Sequence, residues 1–206
     1  AFSAFVLNGK SLTILVTDTN GQDPALKEAL NKLSMVVDKV LYGNRQGIVA
    51  ATRRYYGIEH PIYFKNASAG FYTDFGDIRN VAKEVVGLVG SNRGLIFQVN
   101  TLGGNVVNQV FERGSAFPYR AYPFLAELQA YYDKPAQEPA HLKAFRQIQS
   151  ALSKNGVRRH YRNYPDLDMA NWESAYYGDN YPRLQRVKRR YDPYNLFRHP
   201  QSIRPA

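Results

Sequence analysis

The chain has 206 residues, 44% of them hydrophobic and 14% aromatic, which describes one globular domain or two small ones rather than a disordered segment. It contains no cysteine, which excludes disulfides, thiol nucleophiles, cysteine-bound zinc and iron–sulfur clusters, and no run approaches the ~20 apolar residues of a membrane span. A formal charge of +10 raises nucleic acid as a partner, but the basic runs at 52–57 and 186–199 are far apart and carry no zinc-finger, basic-zipper or RNA-binding signature, so no nucleic acid and no membrane are expected. Tyrosine is the outlier, with 16 against 11 Phe and one Trp. A residue with a dry ring and a polar tip favours binding surfaces.

In chain order, the opening run reads as a strand already under way, which leads us to expect an N-terminal part outside this sequence. Two β-rich runs surround Asn8-Gly9, a pair suited to a tight hairpin. A helix is predicted from Asp23 as cap and Pro24 at its first position, with Leu26, Leu30, Leu33, Val37 and Val40 as the stripe that packs on the hairpin's sheet. A second helix follows Gly76-Asp77, carried by Ile78, Val81, Val85, Val86 and Val89. Residues 94–100, 105–111 and 122–132 read as three strands of one antiparallel sheet. A helix over 138–153 has the stripe Leu142, Phe145, Ile148 and Leu152 and stops at Asn155-Gly156. Residues 158–164 read as a strand. Two short helices close the chain at 171–178 and 181–191, the latter starting at Pro182, turning Leu184, Val187 and Tyr191 inward and ending at Asp192-Pro193. The fold class is α+β, an antiparallel sheet backed by helices.

The chemistry-bearing run is "RHYRNYPDLD", 159–168. On a strand, Tyr161 and Asn163 would share one face and His160, Arg162 and Tyr164 the other. Pro165 keeps Tyr164 extended and then breaks the ladder, so both tyrosines could reach one cavity beyond the strand end. A sheet with an aromatic face would use the same residues. The four histidines show no metal spacing and no Ser/His/Asp pattern. Asn66-Ala67-Ser68 is a glycosylation sequon. Gly103-Gly104 reads as a turn or bulge, because no G-x-G-x-x-G follows a strand into a helix there.

Tyr161, Asn163, Tyr164 and Asp166 fit a Y-x-N-Y-x-D signature, and Trp172, Tyr176, Tyr177, Gly178, Leu184, Lys188, Tyr191, Asp192, Pro193, Asn195, Phe197, Gln201 and Ser202 fit the tail that follows it. The segment resembles the C terminus of berberine bridge enzyme-like flavoproteins, FAD-linked oxidases of the vanillyl-alcohol-oxidase type. Further upstream, Gly103, Gly104 and the turn Ser115, Ala116, Phe117, Pro118, Tyr119, Arg120 are similar to the same family. The resemblance is tight over 94–203 and looser before it.

That resemblance implies half of a two-domain enzyme. Residues 1–155 would form a substrate-binding α+β domain whose sheet covers the isoalloxazine, and residues 156–206 would return to pack on an N-terminal FAD-binding domain or chain. FAD is the implied cofactor, a small alcohol, carbohydrate or natural product the implied substrate, and O2 the implied acceptor. Neither the flavin tether nor a phosphate loop falls on this chain. Oxidation removes a proton to a base and a hydride to flavin N5. Tyr161 is the candidate base; a phenol with pKa about 10 needs help at neutral pH. Tyr164, Arg158, Arg162 and Arg120 are the candidate sources, although Arg120 also suits an architectural or interdomain ion pair. Asn163 would hydrogen-bond the flavin or fix the tyrosines, so Tyr161, Asn163 and Tyr164 form the implied cofactor contact. Glu127, seven residues after Arg120, would share the base role if burial raises its pKa, and otherwise would be an exposed strand glutamate. Two other readings stand beside it, a ligand-binding module without redox activity and a protein whose basic face binds nucleic acid.

Overall fold

A computed structural model describes residues 2–19, 21, 24–41, 43, 45–53 and 60–206. Two compact units emerge, one over Thr17–Ile62 and the other over Phe2–Val16 with Tyr63–Ala206. The smaller holds helices α1 (Pro24–Ser34) and α2 (Ile48–Arg53), neither with a buried residue. Helix α1 begins at Pro24 as expected, but it stops short of the predicted Val37 and Val40. Bonds from Met35 N to Lys32 O and from Val36 N to Leu33 O tighten its last turn. The expected burial of its apolar stripe is not found: Leu30 is exposed and Leu26 and Leu33 only partly covered. The cap residue Asp23 and most of the first basic run, from Arg54 on, lie outside the described residues.

The larger unit is built on a five-stranded antiparallel sheet in the order β2-β1-β4-β5-β3, comprising β1 (Phe2–Asn8), β2 (Ser11–Thr17), β3 (Tyr63–Tyr72), β4 (Leu95–Thr101) and β5 (Phe124–Tyr132). The hairpin turn joining β1 and β2 is Gly9-Lys10, one residue later than Asn8-Gly9, and Gly9 alone takes the positive φ, 58°. Helices α3 (Arg79–Ser91) and α4 (Glu138–Lys154) cover one face. Val85 and Val89 of α3 and Phe145, Ile148 and Leu152 of α4 pack there on Ala67, Phe97, Ala126, Leu128 and Ala130. The predicted stripes hold apart from Val86, which is half exposed. Among the described residues no helix is long and apolar enough to cross a membrane.

Two predicted strands are absent. Residues 105–111 coil instead into short 3-10 turns at Gly104–Val106 and Gln109–Gly114. Asn108 caps the second by accepting from Val110 N, and a local acceptor of this kind competes with a strand ladder. Residues 158–164 are not a strand either. They run beside β3, where Arg159 O accepts from Phe71 N at 3.1 Å and Tyr164 O from Ser68 N at 2.9 Å, but between these bonds Tyr161 N donates to the Ser68 hydroxyl rather than to a carbonyl. The ladder fails because β3 is bulged here, its register with β5 slipping between Ser68 and Gly70. Strand β3 was itself missed from the sequence, since "YFKNASAGFY" is rich in small residues and lacks apolar alternation.

The chain ends in α5 (Trp172–Tyr177) and α6 (Tyr181–Tyr191). Trp172, Ala175 and Tyr176 are buried, and the Ala175 carbonyl accepts from His160 N at 2.8 Å. Helix α6 has no buried residue; Val187 and Tyr191, expected to point inward, are exposed, at 46% and 75%.

Gly70 lets the 157–161 segment lie against β3. It has φ +110°, and a Cβ there would stand 2.2 Å from Val157 Cγ1. Gly70→Ala should therefore cost about 1–3 kcal/mol, whereas Gly87→Ala, mid-helix in α3 with no atom within 4 Å of its Cβ, should stabilise by about 0.5–1 kcal/mol. Urea unfolding of the two variants checks the pair.

Candidate functional site

Strand alternation turns one set of side chains away from α3 and α4. On that face the register places Ser68, Glu127 and Gln98 in one row across β3, β5 and β4, with Asn66, Gln129 and Ile96 in the row on one side of it and Phe71, Leu125 and Asn100 in the row on the other. A strip of amides with a carboxylate at its centre is unusual on a sheet face, and Glu127 is only 5% exposed. It is thus not the exposed strand glutamate that one reading allowed.

Aromatic side chains close the Phe71 end of this face. Phe71, Tyr119 and Leu125 are buried, and Leu102, Phe117, Tyr122, Tyr161 and Tyr164 pack on them. Tyr161 meets Phe71 and Phe117 edge-on, at 6.2 and 6.1 Å between centroids, and Tyr164 at 5.2 Å and 89°. The two tyrosines do not take opposite faces of a strand. Tyr164 N donates to Tyr161 O at 3.1 Å, closing a four-residue turn, and that turn rather than Pro165 brings the rings together. Asn163, exposed at the tip of the turn, donates from Nδ2 to the Tyr161 hydroxyl at 3.0 Å.

Glu127 is the ionisable centre. Burial pushes its carboxyl above the ordinary carboxylate range, opposed by hydrogen bonds from Gln129 and the Tyr164 phenol. Asn66 Nδ2 donates to its Oε1. The Tyr164 phenol is pushed up to about 12, by burial first and then by the charge of Glu127. The carboxyl and the phenol are thus a hydrogen-bonded pair in which burial disfavours ionisation of both groups.

The three arginines proposed to bias Tyr161 each bond other partners. Arg158 bonds the Ser153 carbonyl and hydroxyl. Arg162 donates from Nε to the Tyr177 hydroxyl at 3.0 Å and lies over the Tyr176 ring. Arg120 is architectural, as one reading had it, but through neutral acceptors. Its Nη1 donates to Asn105 O and Val106 O, both at 2.9 Å, and its Nη2 to the Ser115 hydroxyl at 3.2 Å, which pins the turn after Gly103-Gly104. Gly104 takes φ +56° in that turn.

The signature's last residue, Asp166, anchors the turn. It is 4% exposed. Oδ1 accepts from Lys65 Nζ at 2.8 Å and Oδ2 from Gln149 Nε2 at 2.6 Å; its N–H donates to the Tyr176 hydroxyl at 2.8 Å and its C=O accepts from Gln201 Nε2 at 2.7 Å. Asp168 extends the pairing to Lys65 and Arg146. Sequence reasoning passed over Asn66 and Ser68 as site residues because β3 was not seen as a strand, and Gln129 because its register partner Asn66 lies on that strand. The sequon is occupied structurally: Asn66 sits in β3, paired with Gln129 and bonded to Glu127, with Ala67 and Ser68 buried. Among the described residues no cluster of His, Asp or Glu could hold a metal ion.

The family model described as berberine and berberine like matches residues 160–204, which begin one residue before Tyr161 and take in α5, α6 and the tail. This stretch is a berberine-like segment. The chain is also similar to proteins named as FAD-linked oxidoreductases and oxidases. An uncharacterized FAD-linked oxidoreductase of Bacillus subtilis, YgaK, is 35% identical over 102 residues, 50% of this chain and 22% of that protein. Aclacinomycin-N/aclacinomycin-A oxidase of Streptomyces galilaeus is 34% identical over 120 residues, covering 50% and 22%. Chitooligosaccharide oxidase of Gibberella zeae is 46% identical over 66 residues, covering 31% and 13%. In structure, the whole chain superposes on 47% of CrmK, a flavoenzyme of caerulomycin biosynthesis, with a TM-score of 0.80 at 23% identity. That likeness is one of fold, the antiparallel sheet with its helices and the berberine-like segment against β3. The chain spans about half the length of the solved chains it matches.

Because the Glu127 carboxyl is raised in the folded state, its protonation adds stability that is fully present below the unfolded carboxylate pKa and is lost as pH rises through the folded value. Glu127→Gln should remove that component. Urea midpoints measured from pH 4 to 8 should fall less steeply with rising pH in the variant than in the parent.

Proposed function

We propose that this chain is the substrate-binding part of an FAD-dependent oxidoreductase, with residues 1–155 forming the substrate domain and residues 156–206 returning to an FAD-binding domain. The reading rests above all on one observation, the convergence of Tyr161, Tyr164 and a buried, pKa-raised Glu127 on the face of the sheet that α3 and α4 leave open. Similarity over half of the chain to proteins named as an FAD-linked oxidoreductase and an oxidase supports the cofactor. The donor set fits one end of a planar heteroaromatic ring: an exposed amide at Asn163, a half-buried phenol at Tyr161 and a cluster of edge-on rings behind them. Bound FAD would supply the two-electron acceptor, with O2 as the final oxidant.

The rest of the chemistry falls to side chains of this chain. Tyr161 receives a hydrogen bond from Asn163 on its oxygen, which fixes the phenol and leaves its proton to meet the substrate's oxygen. Arg120, Arg158 and Arg162 bond carbonyl and hydroxyl acceptors elsewhere, which leaves the proton to another group. Among the described residues of the sheet, Glu127 is the carboxylate on this face, and Tyr164 stands between it and Tyr161. A carboxylate whose affinity for protons is raised by burial suits a general base. Tyr161 thus orients the substrate hydroxyl, Glu127 accepts the proton and Tyr164 links them. The aromatic and amide surroundings suit an alcohol on a carbohydrate or a natural product, the two classes for which the aclacinomycin and chitooligosaccharide oxidases are named.

The test is anaerobic bleaching of the flavin-loaded protein in a stopped-flow instrument. Glu127→Gln should slow bleaching about 100-fold or more and abolish the fall in rate towards acid pH, and Tyr161→Phe should slow it comparably. A colourless holoprotein, or bleaching at the parent rate in both variants, would remove the assignment.

A further inference from the structure

The sheet has a second aromatic feature beyond the amide strip. Phe64 of β3 and Tyr131 of β5 are register partners, their rings stacked at 6.0 Å and 27°. Phe64 lies four residues before Ser68 and Tyr131 four after Glu127, so both project from the same face as the carboxylate. At about 3.3 Å per residue the pair stands ~13 Å along the strand from Glu127. Its neighbour on the opposite face, Tyr63 stacked on Tyr132 at 5.6 Å, is partnered in turn by His141 of α4 at 5.5 Å from Tyr132. Phe64 has no such backing and is 60% exposed. Between this pair and Glu127 lie Asn66 and Gln129, with Gln98 alongside Glu127 on β4. The charge of Glu127 reaches Tyr131, where it adds to the effect of burial.

We propose that the Phe64–Tyr131 stack is a platform for a sugar ring of an oligosaccharide or glycoside substrate, at least one ring removed from the hydroxyl being oxidised. The proposal rests on the functional reading above and narrows its substrate class. A pyranose has a face of C–H groups and an edge of hydroxyls. The face suits the electron-rich surface of an aromatic ring, and the edge suits side-chain amides, which both donate and accept. The order along the strand, carboxylate, amides, aromatic pair, is the order in which an extended sugar chain would need them. A wholly aromatic ligand would use the platform but desolvate Asn66 and Gln129 without replacing their hydrogen bonds with water.

The experiment uses the flavin-loaded protein with glucose, cellobiose and cellotriose. The parent's KM should fall about tenfold from the monosaccharide to the trisaccharide. Phe64→Ala should erase that fall, raising the cellotriose KM about tenfold with kcat unchanged and the glucose KM unmoved, while Phe64→Tyr should restore it. Equal KM values along the series in the parent, or a Phe64→Ala effect as large for glucose as for cellotriose, would overturn the platform. A colourless holoprotein would fail the functional reading separately, and with or without bleaching by these sugars saturation-transfer NMR with cellotriose still decides the platform. Contact to the distal ring that is lost in Phe64→Ala upholds it, and no contact to that ring overturns it. Thermal melting of Phe64→Ala within a few degrees of the parent shows that the changes come from binding.

Discussion

The larger unit is held to its working geometry by a buried carboxylate that cannot be left unpaired. The Asp166 carboxylate accepts from Lys65 of β3 and Gln149 of α4, while its backbone N–H donates to Tyr176 of α5 and its carbonyl accepts from Gln201 of the tail. Burying an ion is costly unless its oxygens are satisfied, so these elements must come together around it or the segment does not dock at all. The 161–164 turn lies directly before this anchor. Its position against Phe71 and Glu127 is therefore set by the docking of four separate elements, and not by any local preference for a turn.

A second constraint comes from β3. Its bulge at Ala69-Gly70 stops the neighbouring segment from completing a ladder, which frees the Ser68 hydroxyl to take the Tyr161 N–H and lets the chain turn where a strand would have run on. The irregularity is what brings two tyrosines from one short run into edge-to-face contact. On a regular strand, Tyr161 and Tyr164 would have pointed to opposite faces.

Electrostatics moved the proposed chemistry from the phenol to the carboxyl. Arg120, Arg158 and Arg162 are each committed to carbonyl, hydroxyl or ring partners. Burial of Glu127 outweighs the phenol and amide donors around it, and its carboxyl holds a proton more tightly than an ordinary carboxylate. Arg120 instead stiffens the Gly103-Gly104 turn, a structural task that suits its planar fork of donors.

The sequence by itself determined the parts whose signals are local: the β1–β2 hairpin, the apolar stripes of α3 and α4, the strands β4 and β5, and the start of α6 at a proline. Its spaced identities also singled out Tyr161, Asn163, Tyr164, Asp166 and Glu127. It did not show that β3 is a strand, because a segment buried by neighbours on both sides needs no alternation of its own. Nor did it show that residues 105–111 and 158–164 are not strands, because capping by Asn108 and the bulge in β3 outweigh β propensity there. Only the tertiary structure decided which side of the sheet is open, that Glu127 is buried beside Tyr164, and that the arginines are spent elsewhere. Burial and pairing are properties of what surrounds a residue, and here the surroundings are supplied by elements up to about a hundred residues away in the chain, as Lys65 and Asp166 show.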